Sequence, residues 1–201
     1  MSKLREQNYL AIDLELNKDD ETDKITKIIQ VGIAIGNPFR PKEIQTWSWY
    51  VNPEEKISTF ITQLTGINDE MVTLQSTPLQ QIAEEISSLI KKHDVFINPV
   101  QWGFGDAEEL VKTFESNGIA FPHFGRRVID VKTIYVFLEM ASGRSPAGGL
   151  SSSMKKYKIH FQGKTHRADS DALNTLRFFF HLLERQGSLD AAMTTMKGIQ
   201  Y

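Results

Sequence analysis

Hydrophobic and polar side chains alternate along Tyr9–Leu16, where the sequence is YLAIDLEL. A period of two places the leucine and isoleucine side chains on one face of a strand and Asp13 and Glu15 on the other. The richness in Leu and Ile favours a central strand, covered on both sides, over an edge strand. Ile28–Gly36 and Ile44–Val51 are also apolar, and a turn signal between them predicts an antiparallel meander of three strands.

Apolar residues later in the chain recur at helical spacing, with two short apolar segments between them. The predicted helices are Ile57–Thr73, broken at Gly66, then Thr77–Lys92, Asp106–Phe114, Val131–Met140, Leu150–Tyr157 and a last helix from Ala168. Val95–Asn98 and Val128–Asp130 are predicted to be short strands reached by helical crossovers. This order predicts a single α/β domain over residues 1–201. Its mixed five-stranded sheet would combine the antiparallel meander with parallel strands, flanked by helices.

The last helix carries an acid on its apolar side. Its apolar arc comprises Ala168, Ala172, Leu176, Phe179, Phe180 and Leu183. A step of 100° per residue places Asp171 beside Phe178 and Leu182, on the flank that turns toward the core. A buried, ionised carboxylate is unfavourable unless a cation or hydrogen-bond donors meet it. Because His166 lies just before the helix, the sequence predicts a carboxylate and an imidazole in one half-buried site.

Composition narrows the possible chemistry. The chain has 201 residues and no cysteine, which excludes disulfides, thiolate zinc sites and a cysteine nucleophile. It contains no 18-residue apolar run and begins with a polar segment, so we predict a cytoplasmic protein without membrane spans. The net charge of -2 argues against a non-specific polyanion coat. It does not exclude a nucleic-acid substrate, because bound cations would reverse the sign of the local charge.

Three other acids belong to two separate elements. Asp13 and Glu15 share one strand face, and Asp106 begins a mid-chain helix. Asp106 is followed three residues later by Glu109, the arrangement of an ordinary helix N-cap, so a purely structural role also fits it. Together with Asp171, these acids would meet the requirement of two-metal phosphodiester cleavage for converging carboxylates. Four oxygen ligands favour two Mg²⁺ or Mn²⁺ ions over zinc.

Four stretches in this order carry a family resemblance: Asp13-Leu14-Glu15, Leu64–Ile67, Trp102–Asp106 and His166–Ala172. The chain resembles the DEDDh branch of the DnaQ-like 3'-5' exonucleases, which have a ribonuclease H-like fold. The pattern W-G-x-x-D and the Gly163-Lys164 pair are most similar to the histone-mRNA and RNA-interference exoribonucleases and to KapD-like proteins.

The resemblance implies roles for individual residues. It assigns metal binding to Asp13, Glu15, Asp106 and Asp171, with Asp13 bridging both ions, and catalysis to these acids and His166. His166 would take a proton from the attacking water or orient it.

Substrate binding is assigned to Leu14, Leu16, Leu64 and Phe104. The backbone at Leu16 would meet the terminal sugar, and Leu64 would pack on the last base. Phe104 is the candidate for stacking on a base. Leu16 and Leu64 are equally interpretable as ordinary core residues.

The leading hypothesis is therefore a metal-dependent exonuclease that releases nucleoside 5'-monophosphates from single-stranded RNA or DNA 3' ends, with RNA or short oligonucleotides favoured. A DNA proofreading or repair exonuclease is the second hypothesis. A non-catalytic regulatory module that retains the fold is the third. Apolar positions at helical spacing in Gly187–Tyr201 predict a segment that folds back on the domain or forms a homodimer contact.

Overall fold

A computed structural model of the chain describes residues 7–18 and 24–198, and the side chains of this range up to Ser188. The strands are β1 (Tyr9–Lys18), β2 (Ile25–Gly36), β3 (Gln45–Tyr50), β4 (Val100–Gln101) and β5 (Ile129–Asp130). The helices are α1 (Thr59–Thr65), α2 (Asp69–Gln75), α3 (Leu79–His93), α4 (Asp106–Ser116), α5 (Val131–Ala141), α6 (Leu150–Lys156) and α7 (Ala168–Gly198).

The strands form one mixed sheet in the order β3-β2-β1-β4-β5. β1 pairs antiparallel with β2, and β2 pairs antiparallel with β3, so the predicted meander is confirmed. β4 lies parallel to β1, and β5 lies parallel to β4, each reached by a helical crossover. β1 is therefore the central strand, as the apolar pattern predicted.

Alternation along β1 separates two hydrophobic cores. Leu10, Ile12 and Leu14 pack on one face with residues of α3 and α4. Tyr9 and Ala11 point to the other face and pack with residues of α5, α6 and α7. Asp13 and Glu15 continue this second face toward the end of β1, so the strand directs both acids to the side that α7 covers.

Two regions differ most from the prediction. Val95 forms only an isolated bridge with Asn8, and the strand that pairs with β1 begins at Val100. Apolar content alone did not reveal which part of residues 95–101 would find a hydrogen-bonding partner. The C-terminal segment is not a separate helix, because α7 continues through Gly187 to Gly198. Its side chains beyond Ser188 lie outside the described residues, so the fold-back or dimer contact remains a prediction.

Candidate active site

Three carboxylates converge where the end of β1 meets the beginning of α7. Asp13, Glu15 and Asp171 each place one oxygen within 4.8 Å of the others. Glu15 is only 9% exposed, whereas Asp13 and Asp171 are half-buried. Residues 156 positions apart in the chain therefore share a small, partly closed space.

The close approach of α7 to the sheet depends on Gly32. Gly32 lies opposite Asp13 in the β1–β2 register. A Cβ atom at Gly32 would lie 2.0 Å from the carbonyl carbon of Ala168, so no other residue fits without moving the helix. The glycine thus lets the first turn of α7 rest on β2, which brings Asp171 beside the β1 acids.

Asp171 is oriented by the backbone just before its helix. The N–H of Arg167 donates to Asp171 Oδ2 at 3.2 Å. The apolar arc of α7 is buried, including Ala172, Leu176 and Phe179. Packing of this arc fixes the rotation of the helix, and Asp171 consequently lies on the flank predicted for it.

Asp106 approaches β1 from α4. The N-cap of α4 is Gly105, and Asp106 is the first helical residue, so the predicted N-cap role of Asp106 is wrong. Its carboxylate instead accepts a hydrogen bond from the Leu14 backbone N–H and lies close enough to Asp13 to raise the pKa of that group. β4 pairs with β1 at Ala11. Beyond that point, Asp106 takes up the next N–H along the edge of β1.

The loop that presents Asp106 is held at both ends. Buried Gln101 accepts from the Ala107 N–H at 3.1 Å and donates to the Gly103 carbonyl at 2.9 Å. Asp130 accepts from the Gly103 N–H at 3.0 Å. Phe104 therefore projects from an anchored loop with its side chain 79% exposed.

All four acids are harder to ionise than free carboxyls. Burial is the main cause of the raised pKa of Asp13, and the charges of Asp106, Asp171 and Glu15 raise this pKa further. Burial, reinforced by the charge of Asp171, raises the pKa of Glu15 to about 8, although Arg167 opposes the shift. Burial raises the pKa of Asp106 to about 7 and also raises the pKa of Asp171. Each shift means that the protein alone does not balance the negative charge of this site.

This donor set fits divalent cations. Clustered carboxylate oxygens are the hard ligands that Mg²⁺ and Mn²⁺ prefer. The described residues provide three carboxylates whose oxygens lie close enough together to bind one ion, and a fourth carboxylate close to Asp13. Positive charge placed there would favour the ionised form of every one of these acids.

His166 lies at the edge of the site in an exposed position. Its backbone φ of +58° is in the left-handed region, which turns the chain sharply just before α7 begins. Its charge and its backbone N–H both lower the pKa of Asp171, so the two residues are neighbours. An exposed imidazole beside the carboxylates remains free to contact a bound substrate.

The predicted substrate residues differ in their accessibility. Leu64 is 36% exposed, on the same side of α1 as Phe60, which is 53% exposed. Leu14 has a buried side chain that belongs to the core, and its N–H is used by Asp106, while Leu16 is half-buried. The side chains of Leu64 and Phe104 are thus accessible to a substrate, whereas the side chain of Leu14 is part of the hydrophobic core.

Sequence reasoning missed a row of residues behind the acids. Glu15, Gln30 and Tyr50 lie opposite one another on β1, β2 and β3. Arg167 donates to the Tyr50 hydroxyl at 2.5 Å. The signal in the sequence was Gln30 itself, a polar side chain within the apolar strand IIQVGIAIG.

The site geometry accords with a family comparison. The model of the RNase T family, described as an exonuclease family, matches residues 10–179. The chain belongs to this exonuclease family. The exonuclease is 28% identical over 197 residues to the 3'-5' exonuclease DinG of Bacillus subtilis, covering 90% of this chain and 18% of that protein. It is 25% identical over 193 residues to the PolC-type DNA polymerase III of Mycoplasmopsis pulmonis, covering 91% of this chain and 12% of the polymerase. The exonuclease chain thus spans less than a fifth of these relatives.

Solved structures share the fold. The nuclease domain of 3'hExo, a DEDDh family member bound to rAMP, gives a TM-score of 0.75 at 18% identity, covering 90% of this chain and 93% of that one. Escherichia coli exonuclease I with a dA16 oligonucleotide gives 0.69 at 15% identity, covering 94% and 43%. The Mg²⁺- and Mn²⁺-bound form of S. pombe Pop2p gives 0.64 at 19% identity, covering 88% and 83%. The predicted ribonuclease H-like fold is confirmed, and the family match agrees with the predicted exonuclease resemblance. The DEDDh branch remains a prediction. Among the described residues, no helix is long and apolar enough to cross a membrane.

Proposed function

We propose that this exonuclease is a metal-dependent 3'-5' enzyme that releases nucleoside 5'-monophosphates from single-stranded ends. The observation that carries the proposal is the convergence of Asp13, Glu15 and Asp171, with Asp106 next to Asp13. Carboxylates that come together from a strand and two helix beginnings, and whose charge the protein leaves unbalanced, are suited to holding two divalent cations.

The four acids would hold two Mg²⁺ or Mn²⁺ ions, and Asp13, whose pKa is raised by the charges of the other three, would be a ligand in this group. When bound, the ions supply activation of the attacking water and stabilisation of the leaving oxygen. The water oxygen bonds to phosphorus while the bond to the 3' oxygen of the penultimate nucleotide breaks. The products are a nucleoside 5'-monophosphate and a strand one nucleotide shorter with a 3'-hydroxyl.

His166 would act as the general base. Its exposed imidazole, adjacent to Asp171, can accept the proton of the attacking water at a ring nitrogen.

The exposed apolar side chains support a single-stranded substrate. Phe104 and Leu64 offer an aromatic and an aliphatic surface on which unpaired bases can pack. Stacking of this kind is worth about 1–3 kcal/mol per base and tolerates any base. The backbone around Leu16, three residues after Asp13 on the same strand, would meet the terminal sugar.

RNA or short oligonucleotides are our first choice of substrate. The W-G-x-x-D motif, the Gly163-Lys164 pair and the likeness of fold to 3'hExo bound to rAMP support it. A DNA proofreading or repair role is the second candidate. It is supported by sequence similarity to DinG and to PolC-type polymerases, and by likeness of fold to exonuclease I with dA16.

The test is a comparison of single-stranded RNA and DNA oligomers of identical sequence, labelled at the 5' end and digested with Mg²⁺ or Mn²⁺. We expect stepwise shortening from the 3' end, nucleoside 5'-monophosphate products and complete loss of activity in EDTA. Asp13→Ala should be inactive but folded by circular dichroism. Glu84→Gln, at an exposed position of α3, should have unchanged activity. Faster cleavage of DNA would favour the second candidate. Full activity of Asp13→Ala would disprove the site assignment.

A further inference from the structure

The beginning of α7 rests on the cross-strand row Glu15–Gln30–Tyr50. Directly opposed residues of antiparallel strands point to the same face of a sheet, so the three side chains are neighbours. Glu15 belongs to the metal-binding cluster, and the other two lie progressively farther from it. Any contact that α7 makes with Gln30 or Tyr50 therefore fixes the position of the helix relative to the acids.

Gln30 contacts the first residue of α7. Its side chain is fully buried, and Oε1 accepts a hydrogen bond from the Ala168 N–H at 3.1 Å. The first N–H groups of a helix have no partner within the helix and need an acceptor from elsewhere. The residue before the helix is Arg167, whose guanidinium contains no acceptor atom. The acceptor comes from the neighbouring strand instead of from the local sequence.

Two further contacts fix the same turn of chain. Arg167 donates to the Tyr50 hydroxyl, and its guanidinium carbon lies 5.4 Å from the centre of the Tyr50 ring. Gly32, two residues after Gln30, leaves only enough room for the Ala168 backbone. Residues of β2 and β3 thus contact both Ala168, the first residue of α7, and Arg167, the residue before it.

This turn sets the position of two functional groups. Asp171 lies in the first turn of α7, and its Oδ2 accepts from the Arg167 N–H. His166 precedes Arg167 directly. A small shift of Ala168 would move Asp171 relative to Asp13 and Glu15 while leaving these two on their own strand.

We propose that Gln30 is a positioning residue, which sets Asp171 and His166 against the β1 acids by accepting the Ala168 N–H. The inference rests on the proposed function, since it assigns Gln30 a role in building the metal site. It is specific about the atom involved. Gln30 Nε2 has no hydrogen-bond partner within the part of the chain that the structure describes, so the oxygen of the amide is the working group.

The test compares two replacements of Gln30. Gln30→Met keeps length and volume but removes the acceptor. Gln30→Glu keeps an oxygen acceptor and loses only an N–H that no described residue accepts. The new carboxyl is buried beside Glu15, which disfavours its charge, and lies near Arg167 and the beginning of α7, which favour it. In either protonation state one of its oxygens can accept the Ala168 N–H. Asn68→Ala is the matched control, because Asn68 caps α2 through the Met71 N–H in an exposed position away from the acids.

Mn²⁺ affinity is measured by titration calorimetry, together with kcat and KM on a single-stranded oligomer. We expect Gln30→Met to bind Mn²⁺ about tenfold or more weakly, the scale seen when a supporting contact of a metal ligand is lost. Its kcat should fall while KM stays within about twofold, since the base-packing residues are untouched. Gln30→Glu should bind Mn²⁺ within about threefold of the natural protein. Asn68→Ala should change only the melting temperature.

Two outcomes would overturn the inference: wild-type Mn²⁺ affinity in Gln30→Met, or a loss of Mn²⁺ affinity of about tenfold or more in Gln30→Glu. The second still decides the matter if Gln30→Met does not fold. If the natural protein itself neither binds Mn²⁺ nor cleaves, the proposed function fails, which is a different result from normal binding in every variant.

Discussion

The acidic site should make the metal-free exonuclease less stable as the pH rises, and Glu15 is the residue with which to test this. Its folded pKa of about 8 lies above its ordinary value of 4.5 because of burial, with the charge of Asp171 adding to the effect. The folded protein therefore holds the Glu15 proton more tightly than the unfolded chain. The stability that Glu15 contributes is fully present below pH 4.5 and is lost as the pH rises toward 8. Glu15→Gln should remove the contribution of Glu15 to this dependence, because an amide does not ionise.

The size of the effect follows from the two pKa values. Between them, each pH unit removes about 1.4 kcal/mol of unfolding free energy. From pH 4.5 to pH 7 the loss reaches about 3 kcal/mol. For a domain of this size, about 3 kcal/mol corresponds to a melting temperature lower by roughly 6–12 °C. Asp106, with a pKa of about 7, changes stability in the same direction.

The assay is thermal unfolding followed by circular dichroism in EDTA at several pH values from 5 to 8.5. The informative quantity is the difference between Glu15→Gln and the natural protein. Contributions from residues present in both proteins, such as His181, whose pKa is lowered by burial, cancel in that difference. Glu84→Gln, at an exposed position of α3, serves as the control for loss of a solvent-exposed carboxyl. In saturating Mn²⁺ the natural protein should regain the lost stability, because the cation favours the ionised acids.

We expect Glu15→Gln to be the more stable protein in EDTA at pH 8 and to approach the natural protein at pH 5. A difference that stays constant with pH would contradict the reasoning. So would a Glu15→Gln protein that is less stable at pH 8. Either result would mean that the Glu15 carboxyl is solvated or balanced by a charge in the folded protein.

Three further changes separate the roles of other groups. Asp171→Asn should lower kcat by about 100- to 1,000-fold, the scale for losing one charged contact in an active site, without unfolding the protein; an active variant would remove Asp171 from the site. Phe104→Ala should weaken binding of a single strand to an Asp13→Ala background by about 5- to 100-fold in fluorescence anisotropy, since one base loses its stacking surface. Unchanged binding would exclude that contact. Glu139 is fully buried, and hydrogen bonds from Arg144 chiefly lower its pKa to about 2, so its stabilisation is present above pH 4.5 and is lost as the pH falls toward 2. Glu139→Gln should reduce the free energy of unfolding at pH 7, measured by urea denaturation, by about 2 kcal/mol. The loss is smaller than for a fully buried ion pair because the partners of Glu139 are partly exposed. The Mn²⁺ affinity should be unchanged.

The elements of the fold were largely predictable because their signals are local. Alternation in Tyr9–Leu16 depends only on neighbouring residues, and the structure confirms β1 as the central strand. The boundaries near Val95 were predicted less well, since a short apolar segment becomes a strand only where a partner strand lies beside it. The alternative interpretation of Asp106 as a helix N-cap was wrong for a similar reason. An acid followed by Glu109 is locally an N-cap, but the N–H that Asp106 accepts belongs to Leu14, in another element.

The sequence by itself predicted which residues carry the proposed chemistry: the two acids on one face of β1, the acid on the apolar flank of α7, and the histidine before it. Periodicity decides such facts, because it fixes which side chains share a face. Only the tertiary structure decided how these residues are held together. The cap of α7 comes from Gln30 on β2, and the space for its first turn comes from Gly32 on the same strand. These contacts join residues more than 130 positions apart, and no local pattern encodes them, because they exist only once the helix has packed on the sheet.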